Sequence, residues 1–171
     1  IKDELLVDAQ GNLLGASFKG LVYTLTNESS PPEYFFVSTF FICFRSFANG
    51  IDLIEELITR FDTSQNQAIT GENETSNING EVKLKNRRRL IAKMFQLWME
   101  SYWNHESDYS LLTILINFFN ESLSLYLPLD AMKLIEVAAK LSSKPLVENQ
   151  KPNKKAKAGK QLFSRSITIT R

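Results

Sequence analysis

The residues that could do acid–base or nucleophilic chemistry are few and scattered in this sequence. The single histidine, His105, stands near Glu106 and Asp108, but a general base there would also need a nucleophile. Glu55 and Glu56 are neighbours on a predicted helix, so their carboxylates point in different directions. The glycine-rich phosphate-binding motifs and the zinc-protease motif are absent. We therefore expect no catalytic, cofactor-binding or metal-binding residues and no enzyme activity.

Composition indicates one intracellular domain that is not held by disulfides. The 171 residues are 43% hydrophobic and include twelve phenylalanines, enough for a sizeable core. With a single cysteine, Cys43, neither a disulfide framework nor a zinc cluster can form, which fits a reducing compartment. The sequence has no secretory signal and no apolar run long enough to span a bilayer. We therefore expect a cytoplasmic protein. We also expect a fragment of a longer chain, because the sequence opens on Ile1 and not on methionine.

Charge divides the chain into an acidic body and a basic end. Residues 144–171 hold eight Lys and Arg against Glu148 alone, a net charge of +7. Residues 1–143 hold twelve basic and eighteen acidic residues, a net charge of −6. This balance argues against nucleic acid as a partner of the body. Any anionic partner would meet the basic end first.

The stretch Tyr34–Phe47 is apolar on all sides and organises the rest of the chain. Such a segment is either a buried core element or a membrane span, and it is too short to span a bilayer. A buried strand is the alternative, but the length favours a helix. We predict a central core helix. The predicted core residues are Phe36, Phe40, Phe41, Phe44 and Phe47, together with Trp98 from a later helix.

The flanking segments predict a small all-α domain with a minor β element. Helices are expected after the caps Ser17, Asn49 and Asp108, around Trp98, and from Pro128. Period-two patterns predict a hairpin at the N-terminus and a strand near the C-terminus. The predicted strand residues are 4–8, 13–14 and 167–170, the last pairing with Leu5–Val7.

The predicted boundaries follow changes in composition. The helical domain covers 1–143, and its polar stretch 63–82 is expected to be a disordered insertion loop. Residues 144–163 form a basic linker, and residues 164–171 hold the terminal strand.

Several stretches resemble the Ras exchanger motif, the N-terminal domain of guanine nucleotide exchange factors for Ras-family GTPases. They are ASFKGLVYTLT, STFFICFRSF, IDLIEELITRF, and RRRLIAKMFQLWMESYW with DYSLLTILINFF. The resemblance covers about residues 4–141 and the terminal strand. Family members usually carry Thr-Thr or Lys-Pro in place of Asn49-Gly50, and the Asn-rich loop is similar to that of fungal members.

The resemblance implies an irregular bundle of five or six helices, closed by a strand from the chain ends. It also implies a domain without catalytic activity of its own. Exchange belongs to a following catalytic domain, which opens the GTPase with a helical hairpin that this motif braces. In some members the motif also contacts a second, regulatory GTPase.

Five residues are candidates for partner contacts. By resemblance, the helix that begins at Arg87, Arg88 and Arg89 is where some members meet the regulatory GTPase, and acidic switch surfaces suit such a cluster. A solvated first turn is the simpler interpretation. Tyr102 and Trp103 are adjacent, so one of them is expected at the surface, facing the catalytic domain.

Two functions remain open after this reasoning. The first is a regulatory, stabilising module of an exchange factor, cytoplasmic and recruited to the inner face of a membrane only through its GTPase or the basic end. The second is a helical scaffold that keeps the fold for protein docking without exchange activity in the parent chain. A helical domain following Arg171 would favour the first.

Overall fold

The computed structural model of the chain describes residues 4–63 and 74–146. It confirms the predicted all-α bundle with a small β element. The helices are α1 (Phe18–Leu25), α2 (Tyr34–Cys43), α3 (Gly50–Asp62), α4 (Glu74–Ser101), α5 (His105–Asp108), α6 (Leu112–Phe118), α7 (Ser124–Tyr126) and α8 (Pro128–Ser142). A 3₁₀ turn and a π turn join α5, α6 and α7 into one nearly continuous helical segment.

Local capping signals fix the starts of three helices as the sequence predicts. The Ser17 hydroxyl accepts a hydrogen bond from the Gly20 amide at 3.1 Å and caps α1. Asn49 and Asp52 exchange side-chain and backbone hydrogen bonds at 3.0 and 2.9 Å, a complete capping box for α3. Pro128 occupies the first turn of α8, where its missing amide costs nothing.

The β element is an antiparallel hairpin of β1 (Leu5–Val7) and β2 (Leu13–Ala16). Gly11 closes its turn with φ of +86°, a conformation that other residues rarely adopt. The hairpin is anchored to α1, because the Ser17 amide donates to the Glu4 carbonyl at 3.0 Å. The predicted partner strand, residues 167–170, and the basic linker from residue 147 onward lie outside the described residues.

The inner face of α2 forms the centre of the core. Phe40, Phe41 and Phe44 are buried, and Trp98 from α4 meets Phe44 edge to face at 5.9 Å between ring centroids. Phe36 is half-buried against this cluster. Five of the six predicted core residues thus lie in or against the core, and the sixth, Phe47, does not.

A buried carboxylate ties the end of α2 to the end of α4. Asp108 is paired with Arg45 and also accepts hydrogen bonds from Trp98 Nε1 at 3.2 Å and the Asn104 amide at 3.0 Å. The prediction that Asp108 caps the following helix is therefore wrong. Asn104 caps α5, accepting from two backbone amides, because Asp108 is held inside by its arginine and indole donors. Arg45 therefore has a structural role through this ion pair.

Helix α4 begins at Glu74, earlier than the sequence predicts. Part of the expected loop 63–82 is thus helical, and residues 64–73 lie outside the described part. The sequence does not predict the first turns of α4, because apolar residues at helical spacing begin only near Leu84.

Helices α4 and α8 pack against each other. Residues 81–88 of α4 share a groove with residues 125–127, just before α8 begins. At the other end, His105 Nε2 lies 3.0 Å from the Lys144 carbonyl oxygen, joining the chain just after α4 to the chain just after α8. These contacts at both ends show that the two helices run in the same direction.

Candidate functional site

The outer face of α2 is apolar and open to solvent. Phe35 and Ile42 lie seven residues apart, two helical turns, and are 78% and 70% exposed. Tyr34 is also exposed, and Cys43 lies exposed at the end of the helix. Large exposed apolar surfaces of this kind mark interaction sites in many proteins. We call Tyr34, Phe35, Ile42 and Phe47 the α2 outer face.

This face corrects the prediction that the segment Tyr34–Phe47 is buried on all sides. The sequence gives no polar face to distinguish inside from outside, so periodicity could not show that the helix lies at the surface. Phe47 is 53% exposed and touches Phe18 only edge to face, at 6.2 Å between ring centroids. It belongs to the outer face because the 3₁₀ turn Phe44–Ser46 ends the α-helical geometry before it.

Arg87 does not face a partner. It is 3% exposed, and its guanidinium donates two hydrogen bonds to the Glu28 carboxylate at 2.7 and 3.0 Å. A third bond reaches the Thr63 carbonyl oxygen at 3.0 Å. Arg60 approaches the same carboxylate at 3.8 Å. Both interpretations of Arg87 from the sequence, the partner contact and the solvated first turn, are therefore wrong, because a carboxylate 59 residues away draws its side chain inward.

The Glu28 ion pair makes stability depend on pH. Burial by itself would raise the pKa of Glu28, but the hydrogen bond and charge of Arg87 lower the pKa below its ordinary value of 4.5. A lowered pKa in the folded state stabilises the protein above the unfolded-state value, and this stabilisation is lost as pH falls through the folded-state value. We expect the denaturation midpoint of the wild type to fall more steeply below pH about 4.5 than that of Glu28→Gln. Urea titrations from pH 3 to 7 test this, and parallel curves for the two proteins would contradict it.

Arg88 and Arg89 differ in their surroundings although they are neighbours. The Arg88 guanidinium lies 3.6 Å from the centroid of the Tyr126 ring, and its Nε donates to the Phe61 carbonyl oxygen at 3.3 Å. Arg89 is exposed and forms no ion pair with any described residue. Of the three arginines, Arg89 is the one whose whole side chain is available to another molecule.

Tyr102 and Trp103 are both half-buried at the edge of the core. Tyr102 stacks on Phe41 with centroids 5.3 Å apart, and Trp103 packs on Trp98 at 5.8 Å. The Trp103 indole donates to His105 Nδ1 at 3.3 Å. Their packing makes them less accessible than the α2 outer face.

The geometry around His105 offers no reactive constellation. One ring nitrogen faces the Trp103 indole and the other the Lys144 carbonyl. Across residues 4–63 and 74–146, no three His, Cys, Asp or Glu side chains are grouped so that they could hold a metal ion. In the same ranges, no helix has both the length and the apolar character needed to cross a bilayer.

Comparison with known families gives one match. The model of the RasGEF N-terminal motif matches residues 12–121, about two thirds of the chain. The matched range includes β2, α1 to α6 and the α2 outer face. No curated protein matches the chain.

Proposed function

The chain belongs to the RasGEF N-terminal motif family, and from that membership we propose that it stabilises and regulates a catalytic exchange domain in the same parent chain. The family is non-catalytic and is associated with guanine nucleotide exchange factors for Ras-family GTPases. In this proposal the domain braces the helical hairpin with which the catalytic domain opens the GTPase. Its direct partner is the catalytic domain, and the GTPase is reached through that domain.

The observation that supports this proposal is the α2 outer face. Phe35 and Ile42 expose most of their surface on the helix whose opposite side forms the core. Burying one such side chain completely contributes about 1.5–3 kcal/mol. Aromatic side chains that become buried in this way often dominate the energy of an interface. Phe35 is therefore our first choice of anchor, ahead of the better packed Tyr102 and Trp103.

Bracing would act by a population shift. A hairpin that exists in an open and a collapsed form moves toward the form that the brace binds more tightly. Each factor of ten in this equilibrium requires about 1.4 kcal/mol of differential binding. Burial of one or two side chains of the α2 outer face is enough for a ten- to hundredfold effect, on the order of 1.4–3 kcal/mol.

The first functional prediction concerns nucleotide release. We expect this chain alone to leave the release of fluorescent nucleotide from a Ras-family GTPase unchanged. We expect it to increase the activity or the thermal stability of the catalytic exchange domain when both are present. Phe35→Ser and Ile42→Ser should each weaken that effect about tenfold, because each removes an apolar anchor.

Leu129→Ser is the matched control, since Leu129 is 73% exposed but belongs to α8 and not to α2. The proposal fails if the chain alone accelerates release, because a non-catalytic domain cannot do so. It also fails if the catalytic domain is equally active and equally stable with and without the chain.

The alternative is a docking scaffold without exchange activity in the parent chain. It uses the same α2 outer face but predicts no effect on any exchange domain. A null result in the release assay, together with sequence after Arg171 that lacks a helical catalytic domain, would favour this alternative.

A further inference from the structure

A second exposed surface lies on the parallel helices α4 and α8. On α4, Lys85, Arg89 and Lys93 follow one another at intervals of four residues, so they form one row along the helix. Beside it, Leu125 on α7 and Leu129 and Met132 on α8 are 74%, 73% and 68% exposed. We call these six residues the α4–α8 surface. It uses none of the residues of the α2 outer face.

The basic row stands out against the charge of the rest of the domain. Between residues 81 and 93, Arg87 is neutralised by Glu28 and Lys83 lies on another side of the helix, which leaves four Lys and Arg on this side against Glu81. By contrast, residues 1–143 as a whole carry −6. On α8, Glu136 is paired with Lys140 at 2.8 Å, so it subtracts little from the positive charge nearby. The surface is thus a local basic region on an acidic domain, complementary to an anionic partner.

A groove lies at one end of the α4–α8 surface, beside Lys85 and Leu125. Its volume is about 420 Å³, and it is lined by Glu81, Leu84, Lys85, Arg88, Leu125, Tyr126 and Leu127. Arg88 uses its Nε for the Phe61 carbonyl and lays its guanidinium on the Tyr126 ring. Apolar walls with Lys85 and Arg88 beside them suit a group that combines an anion with hydrocarbon.

We propose that the α4–α8 surface binds the interface of an anionic lipid bilayer. Lys85, Arg89 and Lys93 contact headgroup phosphates, and Leu125, Leu129 and Met132 enter the acyl boundary. Stable peripheral binding needs two such signals, since either charge or a short apolar insertion alone is weak. Both signals are present here on adjacent rows of one face.

The combination of exposed apolar and basic side chains favours a bilayer as the occupant. Leu129 and Met132 stand out from α8 with most of their surface in water, beside the basic row of α4, whereas α2 (Tyr34–Cys43), whose exposed apolar face we assign to a protein partner, carries no charged residue. A fluid interface accepts protruding side chains without a complementary shape.

The test measures binding to vesicles of phosphatidylcholine with and without phosphatidylserine. The full chain is used for every variant, because the basic end, residues 144–171, also attracts anionic lipid and must stay constant. Arg89→Glu should weaken binding to the anionic vesicles about fivefold or more. Lys83→Glu is the matched control, since this exposed lysine lies about 160° around α4 from Lys85 and about 120° from Arg89. It should change binding less than Arg89→Glu does.

Insertion is tested separately with lipids brominated on the acyl chain. Fluorescence of Leu129→Trp should be quenched by these lipids, while Ile42→Trp, on the 70% exposed position of α2, should not. Equal loss of binding in Arg89→Glu and Lys83→Glu, or no quenching of Leu129→Trp, would overturn the proposal. The proposal would also be overturned if inorganic phosphate, at the same concentration as the lipid, displaced the protein from the vesicles, because this would indicate a phosphate site. Arg89→Glu could also leave vesicle binding unchanged but abolish binding to a nucleotide-loaded Ras-family GTPase. This result would assign the surface to a protein partner and overturn the proposal.

Discussion

Replacing Glu28 by leucine is expected to lower the free energy of unfolding by about 3–5 kcal/mol, because it leaves a buried arginine charge without its carboxylate. Arg87 is 3% exposed and cannot turn to solvent without opening the domain. Arg60 lies on the other side of the same carboxylate. The pKa of Arg60 is lowered mainly by burial and secondly by the nearby charge of Arg87. The two cations therefore repel each other. Without Glu28 this repulsion is uncompensated.

A double-mutant cycle separates the cost of the orphaned charge from the value of the pair. Glu28→Leu with Arg87→Leu removes both charges, so we expect the double variant to lose less stability than the sum of the two single variants. The exposed pair of Glu136 and Lys140 is the control, and Glu136→Gln should leave the urea midpoint unchanged. If Glu28→Leu moved the midpoint no more than Glu136→Gln, the ion pair would not be a structural element.

This ion pair also explains why the sequence analysis wrongly placed Arg87 at the surface. Three consecutive arginines after a polar stretch have the pattern of a solvated helix start, and nothing local distinguishes the first from the others. The distinction comes from Glu28, which lies in the loop after α1, and from the Thr63 carbonyl at the end of α3. Only tertiary structure brings these groups to Arg87. A long-range polar contact of this kind leaves no periodicity in the sequence.

Local signals, by contrast, predicted most of the fold. Ser17, Asn49 and Pro128 start their helices where the sequence indicates, because caps act within one turn. Asp108 shows the limit of that reasoning. Its type and position suggest a cap, but Arg45 and the Trp98 indole supply stronger partners from other elements.

The two candidate surfaces were also beyond sequence reasoning, for a related reason. Every side of α2 is apolar, so the chain itself cannot show that Phe40 is inside and Phe35 outside. The α4–α8 surface depends on two helices lying in parallel although 54 residues separate their starts. The spacing of the basic row can be seen in the sequence. That exposed apolar residues of α8 lie next to this row is known only from the packing of α8 against α4.

The second large effect on stability is expected at the inner face of α2. Phe41→Ala is expected to lower the free energy of unfolding by about 3–5 kcal/mol, the usual cost of deleting a buried aromatic side chain. Phe41 is 1% exposed, stacks on Tyr102, and meets Phe40 and Phe44 edge to face at 5.5 and 6.3 Å. The cavity would therefore also remove three aromatic contacts, each contributing about 0.5–1.5 kcal/mol in other proteins.

Phe35→Ala is the matched control for this prediction, because it makes the same change on the opposite face of α2. Phe35 is 78% exposed, so its removal should change stability by no more than about 0.5 kcal/mol. Urea denaturation followed by circular dichroism measures both variants, and the slopes of the transitions show whether each still unfolds in two states. Equal shifts for the two variants would mean that α2 has no inner face. A large shift for Phe41→Ala alone would separate the two sides of the helix: the inner side stabilises the domain, and the outer side contributes little to its stability.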